Sequence, residues 1–337
     1  MIRNNFNTSL GINIFIDCGA PSLYNKLSKQ TQHKGIMGAS FKDRKYDKFG
    51  YTETPEYKEY RENYMDFLLE NKQNIDVYSN LDVINNPSLT YKNQMLMEEA
   101  GLRPIPVFHL GSDIKWLKMY LRKYEYIAIG GLIPNPTTVL IPILDKLFKE
   151  HLLDSQGFPK VKLHGFACTS LRLMQRYPWY SVDSATARKL AAYGGVNFPT
   201  HREGEMSVVY VSSRDVPLEK RISPGILAAM DERCARFNMT LKELSETPTA
   251  RQMWNYFIML EQLTPLPKWP WSMQTRQTLK GTANPRHLHF YYAGSNSKKE
   301  EILMWQKMDE LGFDPDRKRR LATFFYKSEA EYIIGKK

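Results

Sequence analysis

The stretch Asn13-Ile14-Phe15-Ile16-Asp17-Cys18-Gly19-Ala20 joins a short apolar run to a carboxylate and then to a turn of small residues. Tyr180-Ser181-Val182-Asp183-Ser184 repeats this arrangement later in the chain. Short apolar runs with such ends are typical of buried strands. A strand-end aspartate can simply cap the next helix, but the carboxyl ends of parallel strands are also where α/β barrels keep their catalytic groups. We therefore predict that Asp17 and Asp183 form a catalytic pair, in which one attacks and the other moves protons.

Further strand-like runs alternate with helical patterns along the chain. The strand-like runs are residues 12–17, 75–84, 105–110, 126–131, 161–166 and 180–183, joined later by 206–212 and 287–293. The helical stretches between them are residues 92–100, 113–124, 137–153 and 169–176. Single helices between short strands favour repeated βαβ units and a parallel sheet. With eight strands, the pattern predicts an α/β fold of the (β/α)₈ TIM-like barrel type, with an open doubly wound sheet as the alternative.

The barrel is expected to occupy residues 1–295 and to carry two insertions. Residues 30–74 are polar and rich in Lys and Tyr; they could grip a nucleic-acid backbone and stack on bases, or form a solvated lid. Residues 218–263 have a helical pattern. Residues 296–337 are expected to form a C-terminal helix and a basic tail that pack on the barrel.

Composition limits the class of protein and of partner. The 337 residues are 42% hydrophobic and 25% charged, as in soluble globular proteins, and we expect no membrane partner because no apolar run reaches about 18 residues. The N-terminus lacks a signal-peptide pattern, which predicts a cytoplasmic protein. The net charge of +11 favours a polyanionic partner such as nucleic acid, or is only a basic surface. The three cysteines form no Cys-x-x-Cys pair and the histidines no helical metal motif, so we predict no metal.

Four strand ends resemble, in the same order, those of the tRNA-guanine transglycosylases. Asp17-Cys18-Gly19 resembles the Asp-Ser-Gly of their first catalytic carboxylate, and Asn80-Leu81-Asp82 resembles the strand end whose Asp reads the base. Residues 126–132 resemble their Ala-Ile-Gly-Gly-Leu strand end. Residues 163–166, followed by 180–184, resemble their Met-Gly-Val-Gly segment and the Phe-Asp-Cys that carries the nucleophile. The resemblance covers roughly residues 12–200.

The chain departs from the family pattern in ways that indicate a branch. The family's zinc motif, Cys-x-Cys-x-x-Cys with a distant His, is absent, which puts a transfer-RNA substrate in doubt. His109 stands where the family has a base-reading Gln, and Ala167 replaces the second Gly of the Gly-Val-Gly segment. The His-Gly-Phe and Pro-Trp-Tyr-Ser-Val-Asp-Ser wording is closer to the DNA-modifying paralogues of phages and bacterial modification clusters, which insert 7-deazaguanine bases into DNA.

The resemblance implies exchange of guanine in DNA for a free 7-deazaguanine base such as preQ0, without a cofactor. Asp183 would form a covalent glycosyl–aspartate intermediate, and Asp17 would shuttle the proton with a pKa raised by burial. Asp82 suits the guanine edge, which presents two adjacent donors. The residues expected to bind the base are Asp82, His109, Gly130, Gly131, Leu132, His164, Gly165 and Phe166. Those expected to contact nucleic-acid phosphates are Arg172, Arg176, Arg188, Lys189, Arg317, Lys318, Arg319 and Arg320.

Several alternatives remain open at this point. The protein could act on tRNA, or it could be a nucleoside or glycoside hydrolase that uses the two aspartates with water. It could also be a catalytically silent paralogue that binds nucleic acid. The family often forms homodimers, and a phage-encoded member would work in the host cytoplasm.

Overall fold

The structure is a computed structural model. It describes residues 13–30, 51–168, 170–200, 205–212, 216–263, 266, 269–273, 289–293, 303, 306 and 321–326, and for residues 28–30, 289–293 and 321–326 it describes the backbone alone. Within these residues, no helix is long and apolar enough to cross a membrane.

The strands form one large sheet and one small one. The large sheet contains β1 (Ile14–Asp17), β2 (Val77–Tyr78), β3 (Val107–His109), β4 (Tyr126–Gly130), β5 (Lys162–Gly165), β6 (Ser181–Ser184), β9 (His289–Ala293) and β10 (Leu321–Tyr326). The small sheet is an antiparallel pair of β7 (Gly195–Pro199) and β8 (Met206–Tyr210).

The large sheet is entirely parallel and has the order β2-β1-β10-β9-β6-β5-β4-β3. Its two outermost strands are joined to each other. Ser79 and Ile105 form a parallel bridge, in which Ile105 N–H donates to Tyr78 O at 2.9 Å and Asn80 N–H donates to Ile105 O at 3.0 Å. The predicted α/β class with parallel strands is therefore confirmed.

Helices connect the strands. They are α1 (Ala20–Gln30), α2 (Pro55–Asn71), α3 (Pro87–Glu99), α4 (Ile114–Lys123), α5 (Thr137–Leu147), α6 (Leu171–Arg176), α7 (Thr186–Ala192), α8 (Pro224–Arg236), α9 (Leu241–Glu246) and α10 (Pro248–Leu263). The predicted start of α4 is confirmed, because the Asp113 side chain accepts from Lys115 N–H at 2.9 Å. Gly101, just after α3, has a φ of +79°, which is the left-handed conformation that glycine adopts at helix ends.

Two predictions about the strands are wrong. Residues 206–212 were counted among the barrel strands, but β8 pairs only with β7, outside the large sheet. Residues 321–326 were assigned to a tail packed on the barrel, but β10 lies inside the sheet between β1 and β9. The parallel ladder of β10 with β1 supplies the hydrogen bonds that place this segment in the sheet.

The described part of the Lys/Tyr-rich insertion, residues 51–74, contacts the residues that directly follow β1 and β2. Tyr57 and Tyr64 on α2 are buried. The Tyr60 hydroxyl donates to Cys18 O at 2.7 Å, and the Tyr64 hydroxyl donates to Ser79 O at 2.8 Å. The burial of Tyr57 and Tyr64 argues against the base-stacking alternative for this part of the insertion; residues 31–50 lie outside the described residues.

The helical stretch 218–263 packs on the small sheet and on α7. Trp254 on α10 is buried and donates from Nε1 to Asn197 O at 2.8 Å. The buried guanidinium of Arg251 donates to Ala191 O at 2.8 Å, and also to Leu244 O and Ser245 O. The predicted helical insertion is therefore present as α8, α9 and α10, together with the short turn before them.

Candidate active site

The carboxyl ends of the parallel strands meet at one edge of the large sheet and surround a cavity of about 270 Å³. Asp17 ends β1, His109 ends β3, Gly130 ends β4, and Asp183 is the third residue of β6. Asp82 follows β2 and lines the same cavity. Of the residues predicted from the sequence, those that line this cavity are Asp17, Asp82, His109, Gly130, Gly131, Leu132, Phe166, Asp183 and Lys189.

Asp17 is buried at 8% exposure. Burial raises the pKa of its carboxyl from an ordinary value of 3.8 to about 7, and the negative charges of Asp183 and Asp82 add to this effect. The Ser79 hydroxyl lies 3.4 Å from Asp17 Oδ1. A carboxyl group in this state can both hold and release a proton near neutral pH.

Two neighbouring groups contact the carboxylate of Asp183. Ala167 N–H donates to Asp183 Oδ1 at 2.8 Å, and His164 Nε2 lies 3.3 Å from the same oxygen. Ala167 has a φ of +52°, in the left-handed region that favours glycine. This backbone conformation accompanies the hydrogen bond from the Ala167 amide to the carboxylate.

His164 and Gly165 do not line the cavity, which corrects the expectation that they bind the base. His164 is fully buried, and its ring stacks on Phe15 with centroids 4.6 Å apart. A Cβ at Gly165 would lie 3.3 Å from side-chain atoms of Val182 and Cys168, so the space beside this glycine is tight. The two residues lie on opposite faces of β5, because successive side chains of a strand alternate, and neither face brings them to the cavity.

Asp82 and His109 form a pair on the opposite wall. His109 Nε2 lies 2.9 Å from Asp82 Oδ2, and the Thr90 hydroxyl donates to Asp82 Oδ1 at 3.3 Å. Gly130 lies against the His109 ring: a Cβ on this glycine would be 2.5 Å from His109 Cδ2. Gly130 therefore leaves the room that His109 needs to reach Asp82.

Sequence reasoning missed part of the cavity wall. The additional lining residues include Tyr24, Asn25, Asn85, Ile133 and Thr186. They lie in the loops that follow the strands and in the first two turns of the helices after them. Asn85 has a φ of +63°, and its residue type is the one local hint of that turn.

The predicted phosphate ligands are placed in different surroundings. Lys189 is exposed on α7 and lines the cavity, whereas Arg172 lines a neighbouring cavity of about 490 Å³. Arg176 makes a two-point ion pair with Asp145 at 2.6 and 2.8 Å, so it ties α6 to α5 and does not serve as a free phosphate ligand. Arg188 lies on α7, and Arg317, Lys318, Arg319 and Arg320 lie outside the described residues.

Two buried thiols, those of Cys18 and Cys168, lie near the site. Burial raises the pKa of both Cys18 and Cys168, which keeps them as neutral thiols. Among the described residues, no three His, Cys, Asp or Glu side chains are grouped so that they could hold a metal ion.

Comparison with known proteins adds no family to this geometry. No family model, no curated protein and no solved structure matches the chain.

Proposed function

We propose that this protein exchanges guanine in DNA for a 7-deazaguanine base through a covalent glycosyl–aspartate intermediate. One observation carries the proposal: Asp17, Asp82 and Asp183, which the sequence singled out at three separate strand ends, line one cavity of about 270 Å³. This volume is just below the range of about 300–1,000 Å³ that is usual for small-molecule sites. The resemblance to tRNA-guanine transglycosylases supplies the reaction that these groups would perform.

The scaffold in this proposal is a (β/α)₈ TIM-like barrel. The bridge between Ser79 and Ile105 supports closure of the sheet, because it joins the two ends of the strand order. Packing supports it as well: Phe15 of β1 clusters with Val107 of β3 and Ala128 of β4, although these strands lie near opposite ends of that order. A closed barrel brings such residues together in its interior.

Asp183 is the nucleophile in the first half of the reaction. Its carboxylate oxygen forms a bond to C1′ as the bond from C1′ to N9 of guanine breaks, and the departing base keeps the electron pair. The incoming 7-deazaguanine then attacks C1′ through N9, and the ester bond to Asp183 breaks to restore the carboxylate. Two displacements retain the configuration at C1′, as in retaining glycosidases.

Asp17 transfers the proton in both halves. As an acid it protonates guanine as the base leaves, and as a carboxylate it accepts the N9 proton of the incoming base. A pKa of about 7 allows both roles at neutral pH, since each protonation state is then well populated.

Asp82 reads the base in this scheme. The guanine edge offers N1–H and an exocyclic amine, and one carboxylate can accept from both donors. His109 holds Asp82 from the side at 2.9 Å, which fixes the orientation of the carboxylate. Phe166 and Leu132 supply apolar walls for the ring.

A DNA partner agrees with the charge and with the depth of the site. The net charge of +11 favours contact with phosphates, and Lys189 stands at the cavity. A buried carboxylate cannot reach C1′ within stacked duplex DNA, so the target nucleotide must be flipped out or be single-stranded.

The test is base exchange on defined substrates. Purified protein is incubated with DNA or tRNA containing labelled guanine, with and without preQ0, and released guanine and digested nucleosides are measured by mass spectrometry. We expect guanine release from DNA that depends on the incoming base and that Asp183→Asn abolishes. Guanine release without an incoming base would indicate a hydrolase, exchange on tRNA alone would replace DNA as the substrate, and no reaction on either would refute the proposal.

A further inference from the structure

Behind Asp183 lies a line of polar groups, one half-buried and two fully buried, that crosses three neighbouring strands. Tyr126 is on β4, His164 on β5, and Ser181 on β6. The Tyr126 hydroxyl lies 2.5 Å from Ser181 Oγ, and Ser181 Oγ lies 2.6 Å from His164 Nδ1. His164 Nε2 then lies 3.3 Å from Asp183 Oδ1. The register explains this line, because His164 and Ser181 are partners in the ladder of β5 and β6 and Asp183 lies two residues beyond Ser181 on the same face.

We propose that Tyr126, Ser181 and His164 act as positioning residues, a directed chain of hydrogen-bond donors that presents Oδ2 of Asp183 to C1′. The inference rests on the proposed role of Asp183 as nucleophile.

The direction of each hydrogen bond follows from Asp183, which is the last group in the line of hydrogen bonds. An ionised Asp183 can only accept, so His164 must carry its proton on Nε2. The Nδ1 atom of the neutral imidazole is then an acceptor, and the Ser181 hydroxyl must donate to it. Because the single Ser181 proton is used in this way, Tyr126 must donate to Ser181 Oγ. Burial raises the pKa of the Tyr126 phenol and keeps its proton in place.

The surroundings hold the chain in a single arrangement. His164 and Ser181 have no exposed surface. The His164 ring stacks on Phe15 at 4.6 Å and meets Phe166 edge-on at 4.6 Å, so aromatic contacts fix its plane. At 3.3 Å the contact between His164 Nε2 and Asp183 Oδ1 falls short of hydrogen-bond geometry, and catalytic hydrogen bonds often tighten only once substrate is bound.

The line of hydrogen-bonded groups distinguishes the two carboxylate oxygens of Asp183. Within the described part of the protein, both neighbours of the carboxylate, Ala167 N–H and His164 Nε2, contact Oδ1. This leaves Oδ2 as the oxygen that would form the bond to C1′. When the ester later breaks, the returning negative charge is shared with Oδ1, where the two donors stabilise it.

Three substitutions test the chain at successive distances from Asp183. His164→Phe keeps the aromatic packing and removes both nitrogens, and we expect kcat to fall about 100-fold or more with the KM values for DNA and for the base unchanged. Ser181→Ala removes the hydroxyl that fixes the tautomer of the His164 imidazole, and we expect kcat to fall about 10-fold. Tyr126→Phe should have the smallest effect, and His164→Gln, which can still donate, should restore part of the rate lost in His164→Phe.

The matched control is Tyr124→Phe. The Tyr124 hydroxyl donates to Glu98 at 2.6 Å, away from the cavity, so its removal should leave both kinetic constants unchanged. Unaltered kcat in folded His164→Phe and Ser181→Ala would overturn the proposal, as would a loss confined to KM.

A measurement that needs no activity separates this inference from the proposed function. In protein with ¹⁵N-labelled histidine, we expect the nitrogen spectrum of His164 at neutral pH to show a protonated Nε2 and an unprotonated Nδ1, and Ser181→Ala to change that pattern. A proton on Nδ1 would refute the directed chain even if exchange is observed. Failure of the wild-type protein to exchange any base would instead refute the nucleophile role while the tautomer result still decides the chain.

Discussion

Two carboxylate–histidine pairs flank the cavity and are built from the same residue types. In the first pair, His109 Nε2 lies 2.9 Å from Asp82 Oδ2, and both side chains line the cavity. In the second, Asp183 lines the cavity and His164 lies behind it. The His109 side chain is 15% exposed, whereas that of His164 is 0% exposed. A histidine beside a carboxylate can therefore take part in ligand recognition or orient a reactive group, and its depth behind the cavity wall decides which.

The largest effect is expected from breaking the second pair at its carboxylate. Asp183→Asn keeps the shape of the side chain but removes the negative charge that is proposed to attack C1′, so exchange should fall by at least about 10⁴-fold. No covalent DNA adduct should form on a denaturing gel. Asp113→Asn is the matched control, because Asp113 is half-exposed at the start of α4 and asparagine caps helices equally well. Adduct formation by Asp183→Asn would show that another residue is the nucleophile.

Asp17 stands between the two pairs, and Asp17→Asn should slow exchange by about 10²- to 10⁴-fold, because the proton can then be neither given nor taken. Single-turnover release of labelled guanine measures this loss. In the wild-type protein the rate should be greatest near pH 7, since the pKa of about 7 leaves acid and base forms both populated there. A rate for Asp17→Asn equal to that of the wild type would exclude the proton-shuttle role.

The same pKa predicts a change in stability that needs no assay of activity. The folded protein holds the Asp17 proton up to about pH 7, whereas the unfolded chain releases it near pH 3.8. Stability of the wild type should therefore fall as pH rises from about 4 to 7 and then level off. Asparagine at position 17 has no charge to bury, so Asp17→Asn should be more stable than the wild type by a few kcal/mol at pH 8 and equally stable near pH 4. Denaturant titrations at the two pH values measure this difference in free energy of unfolding. Equal differences at both pH values would contradict the raised pKa.

Breaking the first pair should affect recognition more than chemistry. Asp82→Asn replaces one of the two acceptors for the guanine edge with a donor, which should lower kcat/KM by about 10- to 100-fold, equivalent to roughly 1–3 kcal/mol. Formation of the adduct at saturating DNA should be reduced less than in Asp183→Asn. His109→Gln should have a smaller effect, since Asp82 keeps its contact with the Thr90 hydroxyl. An unchanged kcat/KM in Asp82→Asn would remove this residue from base recognition.

The smallest effect is expected from moving His109 without replacing it. Gly130→Ala places a Cβ 2.5 Å from His109 Cδ2, which forces the ring away from Asp82. We expect a loss of about 1–3 kcal/mol in stability and a decrease in kcat/KM no larger than that of Asp82→Asn. Gly225→Ala is the control, because a Cβ there meets no atom within 4 Å and alanine favours its helix. Equal stability of the two variants, measured by denaturant unfolding, would mean that the His109 ring moves without cost.

The strand ends could be predicted because their pattern is local. The run from Ile14 to Asp17 is apolar, β-branched and short, and a carboxylate at its end is conspicuous in any sequence. The same reasoning located Asp183, and it located Asp82 with the help of the family resemblance. Their convergence on one cavity follows from parallel strands, whose carboxyl ends share one edge.

Strand pairing and the burial of individual side chains could not be predicted, because both depend on distant parts of the chain. Residues 206–210 and 321–326 have similar apolar patterns, yet one forms the small hairpin and the other the centre of the large sheet. The basic cluster before residue 321 favoured a tail that packs on the barrel, and not a strand within it. His164 and His109 likewise look equivalent in sequence, and their contacts with Phe15 and with Asp82 decide which one is shielded.

The parallel bridge between Ser79 and Ile105 has a consequence for local opening of the sheet beside the cavity. Two backbone hydrogen bonds join β2 to β3 there, and β2 itself contributes only Val77 and Tyr78 to the ladder with β1. Segments held by so few bonds open at free energies well below that of global unfolding. Amide deuterium uptake at Ile105 should therefore be faster than along β4 and β5. Such opening would widen the Asp82 side of the cavity while the opposite wall keeps its shape.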